Sequence, residues 1–340
     1  MMSSDLSDTN LQGSDFSNAY LMFRSLRKAD ASSTDFTDAS LIHANISRTN
    51  FSAADLTNAD LSSVTAIEAD FQVARFTEAQ VSEADFTGSI LTDADFTDAS
   101  AHSTTFEDVN AEDATFVRTE LRDATLQGAR LYQTGFSEVR INVNTEFGQK
   151  SIYQNPEMEF EQERTVWITD FKQRYDDTSR WEAAAWVYRR LQNLHEDNAM
   201  SERARDYHVR KEEAHRAEYR ENGEWFQWSV YTLNRYLTKH GESLKHVVAW
   251  AIGIIVVCGL LYPFTGGLVT TNGTEQITAV SDLSPGVFAR SFYYSMVTFT
   301  TLGYGTPAGT GAKLLVGLES LAGTLLVALF VFVLGRRVAR

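Results

Sequence analysis

A single cysteine, Cys258, stands among 340 residues. No intrachain disulfide can form and no cysteine cluster can hold a metal. Its sequence neighbours are all apolar, so it reads as a small buried hydrophobe. Lysine is scarce as well, at seven residues, and the net charge is −15. Binding nucleic acid by phosphate neutralisation needs clustered Lys and Arg, so that class is excluded. The N-terminus has no basic stretch leading into an apolar core, hence no signal peptide, and the polar part of the chain is expected in the cytoplasm. Long apolar runs are missing until the last hundred residues. No nucleophile–base pair, metal-ligand cluster or phosphate loop occurs, so an enzyme is not expected and no cofactor is called for.

What is present first is a repeat. From Leu6 to Phe136 every fifth position is apolar, 27 in succession, and only Ala31, Ala66, Ala101 and Ala111 fall short of a large side chain. Two residues before each stands a small one, such as Ala54, Ala59 or Ala84, with Arg24 as the bulky exception. A period of five fits neither a helix nor a flat strand. It fits a square coil in which each five-residue side sends one large and one small side chain inward.

This pattern resembles the pentapeptide-repeat family, as in Ala54-Asp55-Leu56-Thr57-Asn58 and Ala94-Asp95-Phe96-Thr97-Asp98. The resemblance implies a right-handed quadrilateral β-helix with four repeats per coil. Stacked at about 4.8 Å, its coils would form a rod roughly 30 Å long. Such a rod is expected to be a spacer, scaffold or assembly surface. The acidic exterior also allows the DNA mimicry that some family members perform. His43 and His102 are isolated and suggest no site.

After Gly148 the period disappears. Trp181, Ala184, Ala185, Val187, Tyr188 and Leu191 share a helical face, and a charged helix is expected from Ser201, as N-cap, to Glu221. Together they predict a helical hairpin. His208, Glu212 and His215 lie on one face of the second helix, which either allows a metal site or reflects an ordinary charged surface. Trp225, Phe226, Trp228, Tyr231, Leu233, Tyr236 and Leu237 then precede Lys239 and Lys245. That mixture suits a helix lying at a membrane surface, or one packing its aromatic face on the connector.

Residues 246–264 and 314–334 are apolar runs of membrane-spanning length. Basic residues flank them at Lys239, Lys245, Arg336, Arg337 and Arg340, while the intervening loop carries only Arg290 and Lys313. The positive-inside bias puts both termini in the cytoplasm of a cell-membrane protein with two transmembrane helices. Between the spans, Ser284 is a good N-cap and Pro285 a good first helical residue. The helix they open is too short to cross a bilayer and reads as re-entrant. It leads into Thr300-Thr301-Leu302-Gly303-Tyr304-Gly305.

Residues 246–337 resemble the two-transmembrane potassium channels. The resemblance implies a homotetramer in the lipid membrane conducting K⁺ passively, each chain adding one strand to a selectivity filter. It assigns ion-binding to Thr301, Leu302, Gly303, Tyr304 and Gly305, with K⁺ held by the carbonyls of Thr301 to Tyr304, and places Thr300 at the pore cavity. Carbonyls replace a hydration shell without fixed charge. Leu302 stands where Val is usual, and Thr306 where the family usually has Asp, which bears on how strictly the filter excludes Na⁺. Gly323 serves either as a hinge of the pore-lining helix or as a close-packing point. Glu319, an acid within a span, either supports the filter by hydrogen bonding or snorkels to the boundary. Asn272-Gly273-Thr274 fits a glycosylation acceptor. The first span lacks a ladder of arginines, so no voltage sensor of the usual kind is expected.

The expected organisation is multidomain. A pentapeptide β-helix covers 1–140, an α-helical connector 141–223, an interfacial helix 224–241 and an all-α two-transmembrane pore with a re-entrant loop 242–340. The competing expectation is an acidic scaffold or DNA mimic that the two spans merely anchor.

Overall fold

The computed structural model describes residues 5–148, 152–154, 174–175, 178–265, 268–269, 285–301, 306–307 and 310–338. The chain divides into two compact units, residues 1–224 and 225–340.

In the first unit, parallel bridges join every fifth residue to the one twenty positions on, from Asn10↔Asp30 to Glu120↔Arg140. One turn of the coil therefore takes four five-residue segments. Among the described residues of this unit, the stretches regular enough to be strands are β1 (Thr115–Val117) and β2 (Gly135–Ser137), paired in parallel in the same register. The large inward residues stack on their counterparts one coil away. Phe76, Phe96 and Phe116 form one such column, with ring centroids 4.3 and 4.9 Å apart.

Each segment turns its corner on a residue with positive φ. This holds at 27 successive positions from Asp8 to Glu138, yet only Gly13, Gly88 and Gly128 are glycines. Non-glycine residues resist this conformation, Asp and Asn least. Local bonds compensate. The Asp of the repeat folds back, so that Asp55 Oδ1 accepts from Thr57 N at 3.0 Å and Thr57 Oγ1 at 2.5 Å, and Asp95 serves Thr97 likewise. Much of the acidity of this region thus belongs to turn chemistry. Where Thr replaces the small inward Ala, its buried hydroxyl donates to a carbonyl of the previous coil, as Thr119 does to Phe96 O at 2.8 Å.

The coil does not stop at residue 140. It runs on to the bridge Thr125↔Glu146, where one extra residue shifts the register from 20 to 21. Asn142 makes room for it, its Oδ1 accepting from Asp123 N, Asn144 N and Thr145 N.

The helical hairpin follows as α1 (Arg180–Asp197) and α2 (Ser201–Glu221). Ser179 caps α1, its hydroxyl accepting from Glu182 N at 3.0 Å. Ser201 is not the cap expected of it. It is already helical, and Met200 holds the cap position without a side-chain bond, because the tight link through Ala199 (φ 58) starts the helix at once.

This hairpin closes the open end of the coil. Backbone groups of the last turn have no further coil to bond, and side chains supply the missing partners. Asn198 donates to Val139 O at 2.9 Å and accepts from Ile141 N at 3.1 Å. Arg203 donates to Thr145 O at 2.9 Å and Val143 O at 2.5 Å. Tyr153 Oη accepts from Tyr132 N and donates to Glu112.

The second unit contains α3 (Trp225–Thr238), α4 (Leu244–Leu261), the 3₁₀ turn Tyr262–Phe264, α5 (Pro285–Thr301) and α6 (Thr310–Val338). β3 (Leu268–Val269) pairs antiparallel with β4 (Thr306–Pro307). Leu244–Phe264 and Thr310–Gly335 are long and apolar enough to cross a membrane. At 1.5 Å per residue the shorter reaches about 31 Å, a bilayer core. Most of both remains uncovered by the chain itself, including Ile252, Leu314, Leu318 and Leu325.

Candidate functional site

The site is built where α5 packs against both long helices. Pro285 opens α5, as its fixed φ favours. Ser284 lies outside the described residues. The helix continues through Thr301, so Thr300 and Thr301 close its last turn. Thr300 is exposed on this chain, its hydroxyl bonded to Met296 O at 2.9 Å.

Leu302, Gly303, Tyr304 and Gly305 lie outside the described residues, as do Asn272, Gly273 and Thr274. What is described are the two ends of the loop that carries the motif: the α5 C-terminus, and Thr306, which pairs with Val269.

Two glycines set how closely the helices approach. A Cβ on Gly323 would stand 2.3 Å from the Phe299 carbonyl oxygen, so α6 presses on the end of α5. A Cβ on Gly259 would meet the Phe292 ring at 2.5 Å, so α4 lies as tightly against its middle.

Between these contacts sits Glu319, wholly buried in α6. Tyr262 Oη hydrogen-bonds to its Oε2, and Ser295 Oγ to its Oε1. Ser295 Oγ also lies 2.9 Å from Ile255 O. Tyr262 packs edge-on against Tyr294, centroids 5.1 Å apart. Glu319 was legible in the sequence as an acid within a span. Ser295 and Tyr262 were missed. A signal for Ser295 was available in the spacing of Ser291, Ser295 and Thr298, which share one helical face and are all buried on α5.

Outside this region His208 and His215 do not converge. His208 faces Glu212 at 3.9 Å and His215 faces Glu218 at 3.4 Å, and among the described residues no three His, Cys, Asp or Glu side chains form a metal-binding group. A cavity of about 550 Å³ at the coil end is lined by Arg203, Arg210, Glu146, Asp206 and Tyr207. Its charges cancel, and both arginines donate to backbone carbonyls. Beside it His195 is fully buried, Nδ1 held 2.7 Å from Leu191 O, and burial with Arg203 and Arg210 nearby pushes its pKa down to about 4.

The family model for pentapeptide repeats matches eight copies within residues 1–133, and that for an ion channel matches residues 250–340. Over 92 residues the chain is 34% identical to the inward rectifier potassium channel Kirbac3.1 of Paramagnetospirillum magnetotacticum, covering 26% of this chain and 30% of that protein. The chain thus spans less than a third of this relative. Among solved structures, HetL, a pentapeptide repeat protein of Nostoc sp. strain PCC 7120, matches at 24% identity and TM-score 0.23, covering 41% of this chain and 71% of its own. A pentapeptide repeat protein of the Arabidopsis thaliana thylakoid lumen matches at 26% identity and TM-score 0.19, covering 31% and 69%. The chain carries pentapeptide repeats in its N-terminal region and an ion-channel domain over residues 250–340.

Proposed function

We propose that the chain is one subunit of a homotetrameric, potassium-selective channel, with the pentapeptide coil as a cytoplasmic appendage. The observation that carries this reading is the order of parts: a long apolar helix, a 17-residue helix wedged beside it, the Thr-Leu-Gly-Tyr-Gly segment, and a second long apolar helix. A helix of 17 residues reaches about 26 Å and falls short of a bilayer, which suits a re-entrant loop. Irregular backbone at membrane depth is tolerated when it lines a watery path. Four copies around one axis would give such a path, bound by the Thr301, Leu302, Gly303 and Tyr304 carbonyls, with Gly303 and Gly305 allowing the required dihedrals. K⁺ is the cargo, and no cofactor takes part. The uncovered apolar faces of α4 and α6 suit contact with lipid and with neighbouring subunits.

In the first unit the bridges at a twenty-residue interval support the quadrilateral β-helix, and the basic flanks of the spans support cytoplasmic termini. The exposed Trp225, Phe226, Leu233 and Tyr236 on α3 support its place at the membrane surface. Tight apposition to Phe299 favours close packing over hinging at Gly323.

The test is ion flux in liposomes with potassium and sodium on opposite sides. A reversal potential near the potassium equilibrium value, abolished by Gly303→Asp, is the expected result. A current reversing near zero would reject selectivity, and the substitution Thr306→Asp would then show whether that position loosens the filter.

A further inference from the structure

We propose that Glu319 is a neutral carboxylic acid, the centre of a directed hydrogen-bond chain that holds α5 between α4 and α6. The argument is a count of protons. Ser295 has one hydroxyl hydrogen and two partners within reach, Ile255 O and Glu319 Oε1. A backbone carbonyl can only accept, and it has a second lone pair for the purpose. Both contacts are hydrogen bonds at once when the serine proton goes to Ile255 O and the proton between Ser295 Oγ and Glu319 Oε1 comes from the glutamic acid, whereas an ionised carboxylate would take the serine proton and leave the Ile255 contact unbonded. Tyr262 donates to Oε2, and the Cys258 thiol also hydrogen-bonds to the carboxyl group.

The chain reads Glu319 Oε1–H to Ser295 Oγ, Ser295 Oγ–H to Ile255 O, and Tyr262 Oη–H to Glu319 Oε2. It touches both membrane-spanning segments and the short helix between them. The close approach that Gly259 allows against Phe292 is what brings Ile255 O to 2.9 Å from Ser295.

The surroundings agree with a neutral acid. The titratable groups facing Glu319 are Cys258 and Tyr262 on the first span and Tyr294 on α5, and none of its partners among the described residues is a cation. An unpaired ionised carboxylate enclosed in an apolar membrane interior is strongly disfavoured. A protonated one is a good donor and acceptor at once, which is what this position uses.

Glu319, Ser295 and Tyr262 are positioning residues. They act on the filter by fixing the helix that leads into it, and in that consequence the inference rests on the channel reading above. An ionised Glu319 attracting cations would predict a different pattern of variants. Glutamine reproduces the neutral acid, its amide donating to Ser295 and its carbonyl accepting from Tyr262, whereas leucine can do neither.

The experiment compares full-length wild type, Glu319→Gln and Glu319→Leu in liposomes by two readouts. Infrared difference spectra should show a protonated-carboxyl C=O band in the wild type that Glu319→Gln removes. Potassium-over-sodium selectivity and thermal stability should survive in Glu319→Gln and be lost in Glu319→Leu. Ser295→Ala, which removes the acceptor, should shift the same infrared band. A wild-type band unaffected by Glu319→Gln, or equal loss of stability in the Gln and Leu variants, would overturn the proposal. Absence of selective current in the wild type would reject the channel reading alone, since the band and the stability comparison still decide the protonation.

Discussion

In the coil, Thr34, Thr49, Thr104, Thr119 and Thr134 each stand where the repeat usually has Ala and each donate to a carbonyl 23 residues earlier. In the membrane unit, Tyr262, Ser295 and Glu319 meet once, from three helices, and nothing repeats. In both regions these buried polar groups are met by partners, as a low-dielectric interior favours. They differ in how the partner is specified. The coil fixes it by a translation along the sequence, so one segment predicts the next. The membrane unit fixes it by three helices converging, which no local window of sequence contains.

The contrast is sharpened by substitutions graded across the two regions. Phe96→Ala removes a ring stacked between Phe76 and Phe116 and should cost about 3–5 kcal/mol of unfolding free energy, read by denaturant titration. A similar loss is expected at any other fully buried Phe of the stack. If costs vary widely along the column, the coil is less repetitive in energy than in geometry. Gly323→Ala drives a methyl group onto the Phe299 backbone, which cannot yield as a side-chain end can. Potassium current should be abolished, while Gly259→Ala, meeting the movable Phe292 ring, should be milder.

The cap provides intermediate effects. His195 is neutral in the fold, with its pKa lowered to about 4 from 6.5. Between those values the unfolded chain binds the proton and the folded chain does not, so stability falls as pH drops from 6.5 towards 4. The slope is at most about 1.4 kcal/mol per pH unit. His195→Phe should flatten that part of the pH–stability curve. Asn198→Ala strands Val139 O and Ile141 N at the coil end and should cost about 1–3 kcal/mol, seen as faster hydrogen exchange of the last coil. The smallest effect is expected at Val73, a β-branched residue held at φ 61. Val73→Asn should stabilise by about 1 kcal/mol, measured as a raised melting temperature.

The repeat was legible because every core position obeys one period. The coil's end was less so, since the register shift rests on a bond from Asn142 back to Asp123, and the closure by Asn198 and Arg203 on bonds to residues about 60 positions away. Misreading Ser201 as a cap followed from reading the local sequence without the turn at Ala199. In the membrane unit, the spans and the Thr-Leu-Gly-Tyr-Gly segment stand out as runs and a motif, and Glu319 as an acid where acids are rare.

By itself the sequence determined the five-residue coil, the two apolar helices and the short helix before the glycine-rich segment, because each follows from periodicity or from length against a bilayer. Only the tertiary structure decided that the hairpin closes the coil, that Gly323 and Gly259 are points of close approach, and that Ser295 and Tyr262 hold Glu319. The physical reason is common to all three: a buried polar group or a missing Cβ acquires its meaning from the atoms opposite it, and those atoms come from distant parts of the chain.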